Sequence, residues 1–458
     1  MNIFSWIKDY LLPSLTGRGW GWVSHSFALI REDKLFSAIY IAGTAVAIAS
    51  AMVVALILHI RISNIYPEEN RDRTVYIRSY FKDDDGKFVG FPGYSPLAVE
   101  EVFNHLQCAE VVSANMCNDY VYHFTACAEM GKQEVPVNTK FTDANFYRLY
   151  DFHFVDGHPY TDEHLQNAEK YIVITDALAR KVYGTVEQAV GQQLLLNYLP
   201  YHIIGIVKEV SPLMYASSAD VYLPYTVDDS RSHWQSQEVS YAGGLEVTVV
   251  LKKGCTFQML KDELEPYRVK YISMLKQATG KDYEVEIDAC MHWAKTLNFF
   301  PSYDHTTGDM LYNLSLPTLL ILLLLLLPAI NLSGLVSNRM ESRVAEMGIR
   351  KAFGAKRRVL LREVVNENLV MTLCGGIVGY LLSWLFITAI RDNALFLSMF
   401  EREYDPVNSV SLQLDMFFTP TIFLVAFVCC AVLNLMAALI PAWTSLRKPI
   451  VESINQKR

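Results

Sequence analysis

The sequence predicts a membrane protein with four transmembrane α-helices and one large extracytoplasmic α+β domain. Three observations carry that prediction. First, four stretches contain no Asp, Glu, Lys or Arg: 35–60, 311–338, 368–390 and 416–446, of 26, 28, 23 and 31 residues. A spanning helix needs about 20 apolar residues, and each stretch reaches that length. Second, the other 350 residues hold all 88 charged side chains, a quarter of their number and an ordinary density for water-exposed protein. Third, the long interval 61–310 alternates strand and helix patterns. An outer-membrane barrel would show short alternating segments instead. No basic stripe offers a nucleic-acid surface.

The segment 1–34 precedes the first span. Ile3, Ile7 and Leu11 share one helical face beside Phe4, Trp6 and Tyr10, which predicts a helix lying in the cytoplasmic interface. Trp20 and Trp22 suit the headgroup region, or serve as plain packing residues. The span 35–60 is too long for a cleaved leader and lacks a small-residue exit, so a permanent anchor is expected.

Charge fixes the orientation. Basic residues exceed acidic ones by 1 in 1–34, by 4 in 339–367 and by 3 in 447–458. Acidic residues exceed basic ones by 13 in 61–310 and by 3 in 391–415. Positive loops stay inside. Both termini and 339–367 are therefore expected in the cytoplasm, with 61–310 and the loop 391–415 outside.

Within 61–310, strands are expected at 74–80, 110–116, 245–252 and 282–288, and helices at 95–107 and 256–277. Strand–helix–strand order thus recurs at both ends, with Thr256 as an N-cap. This predicts a split subdomain, 61–124 and 241–310, holding an inserted α+β subdomain, 125–240. Inside the insertion, 171–174 reads as a strand, and Thr175 or Asp176 caps a helix that stops at Gly184. A hairpin is expected around Pro200, and 220–225 reads as a further strand. The run 82–88 carries an Asp85-Gly86 turn and lacks the ligand spacing of a calcium loop.

Catalytic motifs are missing. The chain has no phosphate-binding P-loop, no G-x-S-x-G elbow and no H-E-x-x-H helix. His153 and His158, with Asp151 and Asp156, read as turn residues rather than metal ligands, so no metal and no bound cofactor are expected. Of eight cysteines, Cys108, Cys117, Cys127, Cys255 and Cys290 lie in 61–310 and Cys374, Cys429 and Cys430 in spans. Cys255–Cys290 would bridge the ends of the last strand–helix–strand unit. Free buried thiols are the equal alternative.

The second span contains Pro317, Pro328 and Asn331, and Pro328 is expected to kink it. In the third, Gly375 and Gly379 fall in G-x-x-x-G register with Gly376 between, a pattern for close helix packing. Without ionisable residues in the spans, no proton or ion pathway is expected.

The interval 339–367 reads RMESRVAEMGIRKAFGAKRRVLLREVVNE. Glu346 and Arg350 stand at i,i+4, Ile349 and Phe353 share a face, and Gly354 is a helix stop. Lys356, Arg357, Arg358 and Arg362 follow. A short amphipathic helix, a tight turn and a helix feeding the third span are expected. Charge alone favours an anchor on anionic lipid over a docking site for a soluble partner.

The stretch EMGIRKAFGAKRR closely resembles the cytoplasmic-loop signature of FtsX-like permeases of the ABC transporter superfamily. Glu346, Gly348, Arg350, Lys351, Ala352, Gly354 and Ala355 match it, while Met347 and Phe353 depart in apolar type. One span, a large external domain and three further spans resemble the MacB-like branch. FHFVDGHPY, ITDALARKVYG and IIGIVKEVSP with DVYLPY resemble that branch's external domain. The resemblance implies a type VII, mechanotransmission permease of the bacterial inner membrane. It would be a dimer with a second copy or a paralogue, and would work with a cytoplasmic ABC ATPase that uses ATP and magnesium. The site for that ATPase would be Glu346, Gly348, Ile349, Arg350, Lys351, Phe353, Gly354, Lys356 and Arg357. No fused ATPase domain is present, so a separate ATPase subunit is expected and the permease itself is not an enzyme. The resemblance implies export of an amphiphilic peptide, drug or lipoprotein, with a periplasmic adaptor and outer-membrane channel as further partners. The alternative is a non-transporting regulator of a cell-wall hydrolase or signalling partner.

Overall fold

The computed structural model describes residues 33–82, 88–90, 93–116, 122–211, 214, 216–227, 242–280, 282–297, 307–390 and 420–447. The interfacial helix of 1–32, the Asp85-Gly86 turn, Cys117, the loop 391–415 and the tail after 447 lie outside them. Two compact units divide the chain. One comprises Met1–Leu58, Leu314–Ile390 and Leu414–Arg458, the other His59–Asn313 with Arg391–Gln413.

The first apolar stretch forms α1 (Lys34–Ile62). In the His59–Asn313 unit follow β1 (Thr74–Lys82), β2 (Phe88–Gly90), β3 (Gly93–Tyr94), α2 (Pro96–Glu101), β4 (Ala109–Met116), β5 (Tyr122–Cys127), β6 (Val135–Thr142), β7 (Phe154–Gly157) and β8 (Tyr171–Thr175). Next come α3 (Asp176–Tyr183), β9 (Gln193–Leu196), β10 (Leu199–Val207), β11 (Val221–Pro224), β12 (Ala242–Gly243), β13 (Leu245–Leu251), α4 (Phe257–Thr279) and β14 (Glu284–Met291). One sheet runs β12-β3-β13-β1-β14, with β2 on β1 and β4 on β13. The other runs β7-β10-β8-β11-β6-β5-β9, and β9 also pairs with β10, so its ladder closes on itself.

Each element has a local cause. Strand β13, LEVTVVL, lies between β1 and β4 and is buried at all seven positions. Central strands read as continuous apolar or β-branched runs for this reason. Helix α4 starts where the Thr256 hydroxyl accepts the Met259 amide and ends at left-handed Gly280. Its Leu260, Leu264, Tyr271 and Leu275 fall on one face and join a core that also holds Val75, Ile77, Val247 and Val249. The same core continues into the second sheet through Ile172, Ile174, Leu194 and Ile203. Asp143, after β6, secures that junction. Its carboxylate accepts the Ser113 hydroxyl and the Ala114 amide, both at 2.7 Å.

Two expectations are corrected. The hairpin turns at Asn197-Tyr198, not around Pro200, which pairs with Leu195 inside β10. Both turn residues have positive φ, 46° and 67°, as a two-residue hairpin loop of matching twist requires. The second correction concerns the helix of the second apolar stretch. A single 46-residue helix, α5 (Thr307–Ala352), contains both the apolar stretch 311–338 and the amphipathic segment after it. The expected separate short helix does not form. Nothing between Asn338 and Ala352 supplies a left-handed stop, so the helix continues to Gly354 (φ +92°).

Beyond the turn, α6 (Arg357–Ile390) and α7 (Pro420–Arg447) complete the described chain. Three described helices are long and apolar enough to cross a membrane: Lys34–Ile62, Arg357–Ala389 and Pro420–Thr444.

Candidate functional site

The loop singled out by sequence is the α5–α6 hairpin. Glu346, Gly348, Ile349, Arg350 and Lys351 occupy the last turns of α5, Phe353 and Gly354 make the turn, and Lys356 and Arg357 lead into α6. The chain reverses through paired backbone bonds. The Ala355 amide donates to the Arg350 carbonyl and the Gly354 amide to the Lys351 carbonyl, both at 3.0 Å. This is the Schellman arrangement, which satisfies helix-end carbonyls and places Gly354 in the left-handed region.

An ion-pair ladder holds the two helices together. Arg350 donates to Glu346 one turn back (2.6 Å) and to Glu363 on α6 (3.0 Å). Further along, Glu367 on α6 takes Arg343 (3.2 Å) and Arg339. Burial grades this ladder, because Glu367 and Arg339 are buried while Glu346, Arg350 and Glu363 are 41–50% exposed. The exposed rungs contribute about 0–1 kcal/mol each. The buried rung fixes geometry. Arg339 also lies over the Phe36 ring of α1, 4.4 Å from its centre.

The two sides of the hairpin differ. Val336, Met340, Leu360, Leu361, Val364 and Met371 pack with Tyr40 of α1 and Ala438 and Ala442 of α7. Gly348 is buried. On the other side, Phe353 is 87% and Ile349 49% exposed. Lys356, Arg357, Arg358 and Arg362, just beyond the turn, are exposed too. An exposed apolar pair on a hairpin that also exposes four cations is a surface that can take an acidic-rimmed apolar partner or a lipid headgroup layer.

The glycines of α6 divide between two neighbours. A Cβ at Gly375 would meet Thr44 at 2.8 Å, and one at Gly379 would meet the Ala45 carbonyl oxygen at 2.8 Å, both on α1. A Cβ at Gly376 would meet the Phe427 ring of α7 at 2.6 Å. Side-chain bonds that sequence reading missed reinforce these contacts: Tyr40 to Thr372 (3.2 Å) and Asn434 to Thr44 (3.3 Å). Polar residues scattered singly in apolar runs were the signal for them.

Sequence reading also missed a buried charge cluster in the other unit. Arg71 donates to the Ile60 carbonyl (2.5 Å) and the Ser63 carbonyl (2.9 Å), capping the last turn of α1. It pairs with Glu68 at 2.7 Å, and Glu68 accepts the Ser217 amide and hydroxyl. Burial opposes charge on Glu68, but Arg71 and Ser217 outweigh it and hold the carboxyl below its usual range. His292 contacts the Arg61 carbonyl at 2.9 Å and the Tyr76 hydroxyl at 3.0 Å. Burial, then Arg71, push its imidazole down to about 4. Nearby, Arg78 (3.0 Å) and Lys295 (2.6 Å) overcome the burial of Glu246 and hold it at about 2. Each buried carboxylate is thus paired: Glu68 with Arg71 and Ser217, and Glu246 with Arg78 and Lys295.

The remaining candidates have partners. The His153 amide donates to the Tyr66 hydroxyl, the His153 ring packs tilted against that of Tyr66 at 4.6 Å, and His158 contacts the Pro159 carbonyl. Among the described residues, no group of three or more His, Cys, Asp or Glu is placed to hold a metal. Cys255 and Cys290 are not bonded to each other. Cys290 lies on β14 opposite Tyr76, whereas the Cys255 side chain meets that of Cys108.

Long apolar helices, a tightly turned helical hairpin and a large two-sheet domain fit a membrane permease with a periplasmic-type domain. A family model described as the MacB-like periplasmic core domain matches residues 37–267, and one described as the FtsX-like permease C-terminal matches residues 318–450. The chain belongs to this MacB-like, FtsX-like permease family. It is 23% identical over 385 residues to the macrolide export ATP-binding/permease protein MacB of Escherichia coli O6:K15:H31, covering 84% of this chain and 52% of that protein. Over 245 residues it is 23% identical to the pyoverdine export ATP-binding/permease protein PvdT of Pseudomonas syringae pv. syringae, covering 53% and 34%. The chain thus spans about half the length, or less, of these relatives. Among solved structures, the periplasmic region of MacB from Actinobacillus actinomycetemcomitans aligns with TM-score 0.35 at 12% identity, over 50% of this chain and 94% of that one. The extracellular domain of the noncanonic ABC-type transporter YknZ from Gram-positive bacteria aligns with TM-score 0.32 at 14% identity, over 47% and 99%.

Proposed function

We propose that this protein is the permease subunit of an ATP-driven ABC complex of the bacterial inner membrane. In this reading it crosses the membrane four times, with both termini and the α5–α6 hairpin in the cytoplasm and 61–310 outside. A separate ABC ATPase binds the hairpin, supplies the ATP and magnesium chemistry, and drives movement of the external domain. The permease acts as a dimer with a second copy or a paralogue. The cargo is an amphiphilic peptide, drug or lipoprotein, passed to a periplasmic adaptor and an outer-membrane channel.

The observation that carries this reading is the exposed Ile349–Phe353 pair on a hairpin whose residues 346–355 resemble the permease signature. Exposed large apolar groups beside a rigid turn favour a protein partner over lipid alone, because lipid attraction needs only the positive charge. The test is purification of the tagged full chain from its native membrane in mild detergent. An ABC ATPase should co-purify and should hydrolyse ATP faster with the permease than without it. Purification without any ATPase, together with external labelling of a cysteine placed at Lys356, would sink the proposal.

A further inference from the structure

In the His59–Asn313 unit, two cysteines far apart in sequence meet at one end of the β4–β13 ladder. Ala109 of β4 pairs with Leu251 of β13, and the Lys252 amide donates to the Cys108 carbonyl at 2.9 Å. The chain then folds back in a four-residue turn, the Cys255 amide donating to the Lys252 carbonyl at 3.0 Å. Gly254 at the third position has φ +100°, the conformation that turn demands. The reversal carries Cys255 back to the strand end beside Cys108, close enough for its side chain to perturb the Cys108 thiol. A third group completes the arrangement. The Glu263 carboxylate of α4 accepts the Gln107 and Cys108 amides, the latter at 3.0 Å, which fixes the Cys108 backbone.

We infer that Cys108 and Cys255 form an intramolecular disulfide when the domain meets a thiol–disulfide oxidant, a pairing that joins the start of β4 to the segment leading into α4. The occurrence of this bond in cells rests on the proposed external placement of 61–310, where such oxidants act. Cys255 is half-buried and Cys108 buried, so Cys255 reacts first. Its thiolate attacks one sulfur of the oxidant's disulfide and expels one thiolate, giving a mixed disulfide. The Cys108 sulfur then attacks the Cys255 sulfur and expels the second thiolate. Two electrons pass to the oxidant, and the two thiol protons end on its two sulfurs. Burial, then contact with Cys255 and Glu263, push the Cys108 thiol up to about 12. The Cys108 proton is therefore held until the second exchange, where it passes to the departing oxidant thiolate.

The experiment uses the full chain in detergent, with free thiols alkylated before non-reducing proteolysis and mass spectrometry. Incubation with oxidised glutathione should yield a peptide pair linked through Cys108 and Cys255. That pair should persist in Cys290→Ser and vanish in Cys255→Ser. Alkylation of both residues after the incubation, or linkage of Cys255 to Cys290, would overturn the inference. The same analysis of protein trapped with alkylating agent in intact cells separates the two readings. Linkage with oxidised glutathione but not in cells keeps the thiol pairing and counts against external placement.

Discussion

Arg343 on α5 donates to Glu367 on α6 at 3.2 Å, across the hairpin and next to the longest apolar part of α6. Glu367 also takes Arg339, which is buried, so the carboxylate is the shared anchor of two arginines. Glu367→Gln takes from buried Arg339 the carboxylate in contact with it, at a cost of about 3 kcal/mol. The thermal midpoint of the purified variant should fall clearly. Glu363→Gln, at a half-exposed rung, should change it little. Equal midpoints for the two variants would show that the buried rung contributes no more than the exposed one.

Glycine contacts on α6 make a second comparison. A Cβ at Gly379 would lie 2.8 Å from the Ala45 carbonyl oxygen, a backbone atom that cannot swing aside. At Gly334 on α5, a Cβ meets nothing within 4 Å. Gly379→Ala should therefore lower folded yield and thermal midpoint by forcing α6 away from α1. Gly334→Ala should hold or raise them, since alanine favours helix over glycine by about 1 kcal/mol. A stable Gly379→Ala protein would mean that α1 and α6 do not approach this closely.

How much of this was legible depends on how local its cause is. The strand at 74–80 runs Thr74–Lys82, and the helix read at 256–277 runs Phe257–Thr279, because alternation and the Thr256 cap are nearest-neighbour signals. Gly354 was readable as a stop because glycine after an amphipathic run has one common use. The continuity of α5 was not readable, because the switch from apolar to amphipathic pattern at Asn338 resembles a boundary but supplies no breaker. Nor were Arg71, Glu68 and Ser217, which lie up to 149 residues apart and meet only through tertiary folding. The Cys108–Cys255 contact depends in the same way on the register of β4 against β13, which spacing does not encode. The hairpin displaced from Pro200 is instructive. Proline signalled a turn, but Asn197 and Tyr198 adopt the positive φ that makes one.

Asp143 gives a pH prediction. Burial pushes its carboxyl up to about 7, against hydrogen bonds from Ala114 and Ser113 that favour the charged form. A raised carboxyl binds a proton in the folded state where the unfolded chain has already lost it. Its contribution is thus fully present below about pH 4 and is lost as pH rises through about 7. In Asp143→Asn that dependence disappears. The stability of wild type minus variant, from denaturant titration, should fall between pH 4 and 7 with a slope of up to about 1.4 kcal/mol per pH unit. His292 titrates in this window too, but its effect cancels in the difference. A flat difference would place the Asp143 carboxyl at its ordinary value.

The coupling reading makes the sharpest demand on Phe353. Its ring is 87% exposed at the turn, one helical step from Ile349, and Gly354 holds it there through the bonds from Gly354 and Ala355 back to Lys351 and Arg350. No ladder rung depends on the ring, since those bonds run through Arg339, Arg343, Glu346, Arg350, Glu363 and Glu367. Phe353→Asp should therefore leave membrane insertion and thermal midpoint near wild type. An exposed aromatic anchor in an interface is worth about 2 kcal/mol, so ATPase retained on the tagged permease should drop more than tenfold. Lys356→Arg keeps the charge and should retain the ATPase. Gly354→Val should also lose it, because a β-branched side chain is strained at φ +92° and the turn must shift. Lipid anchoring predicts a different pattern: Phe353→Asp would keep the ATPase at wild-type level while loss of positive charge at Lys356, Arg357 and Arg358 weakened binding to anionic vesicles. Retention of the ATPase by Phe353→Asp would assign the hairpin to lipid.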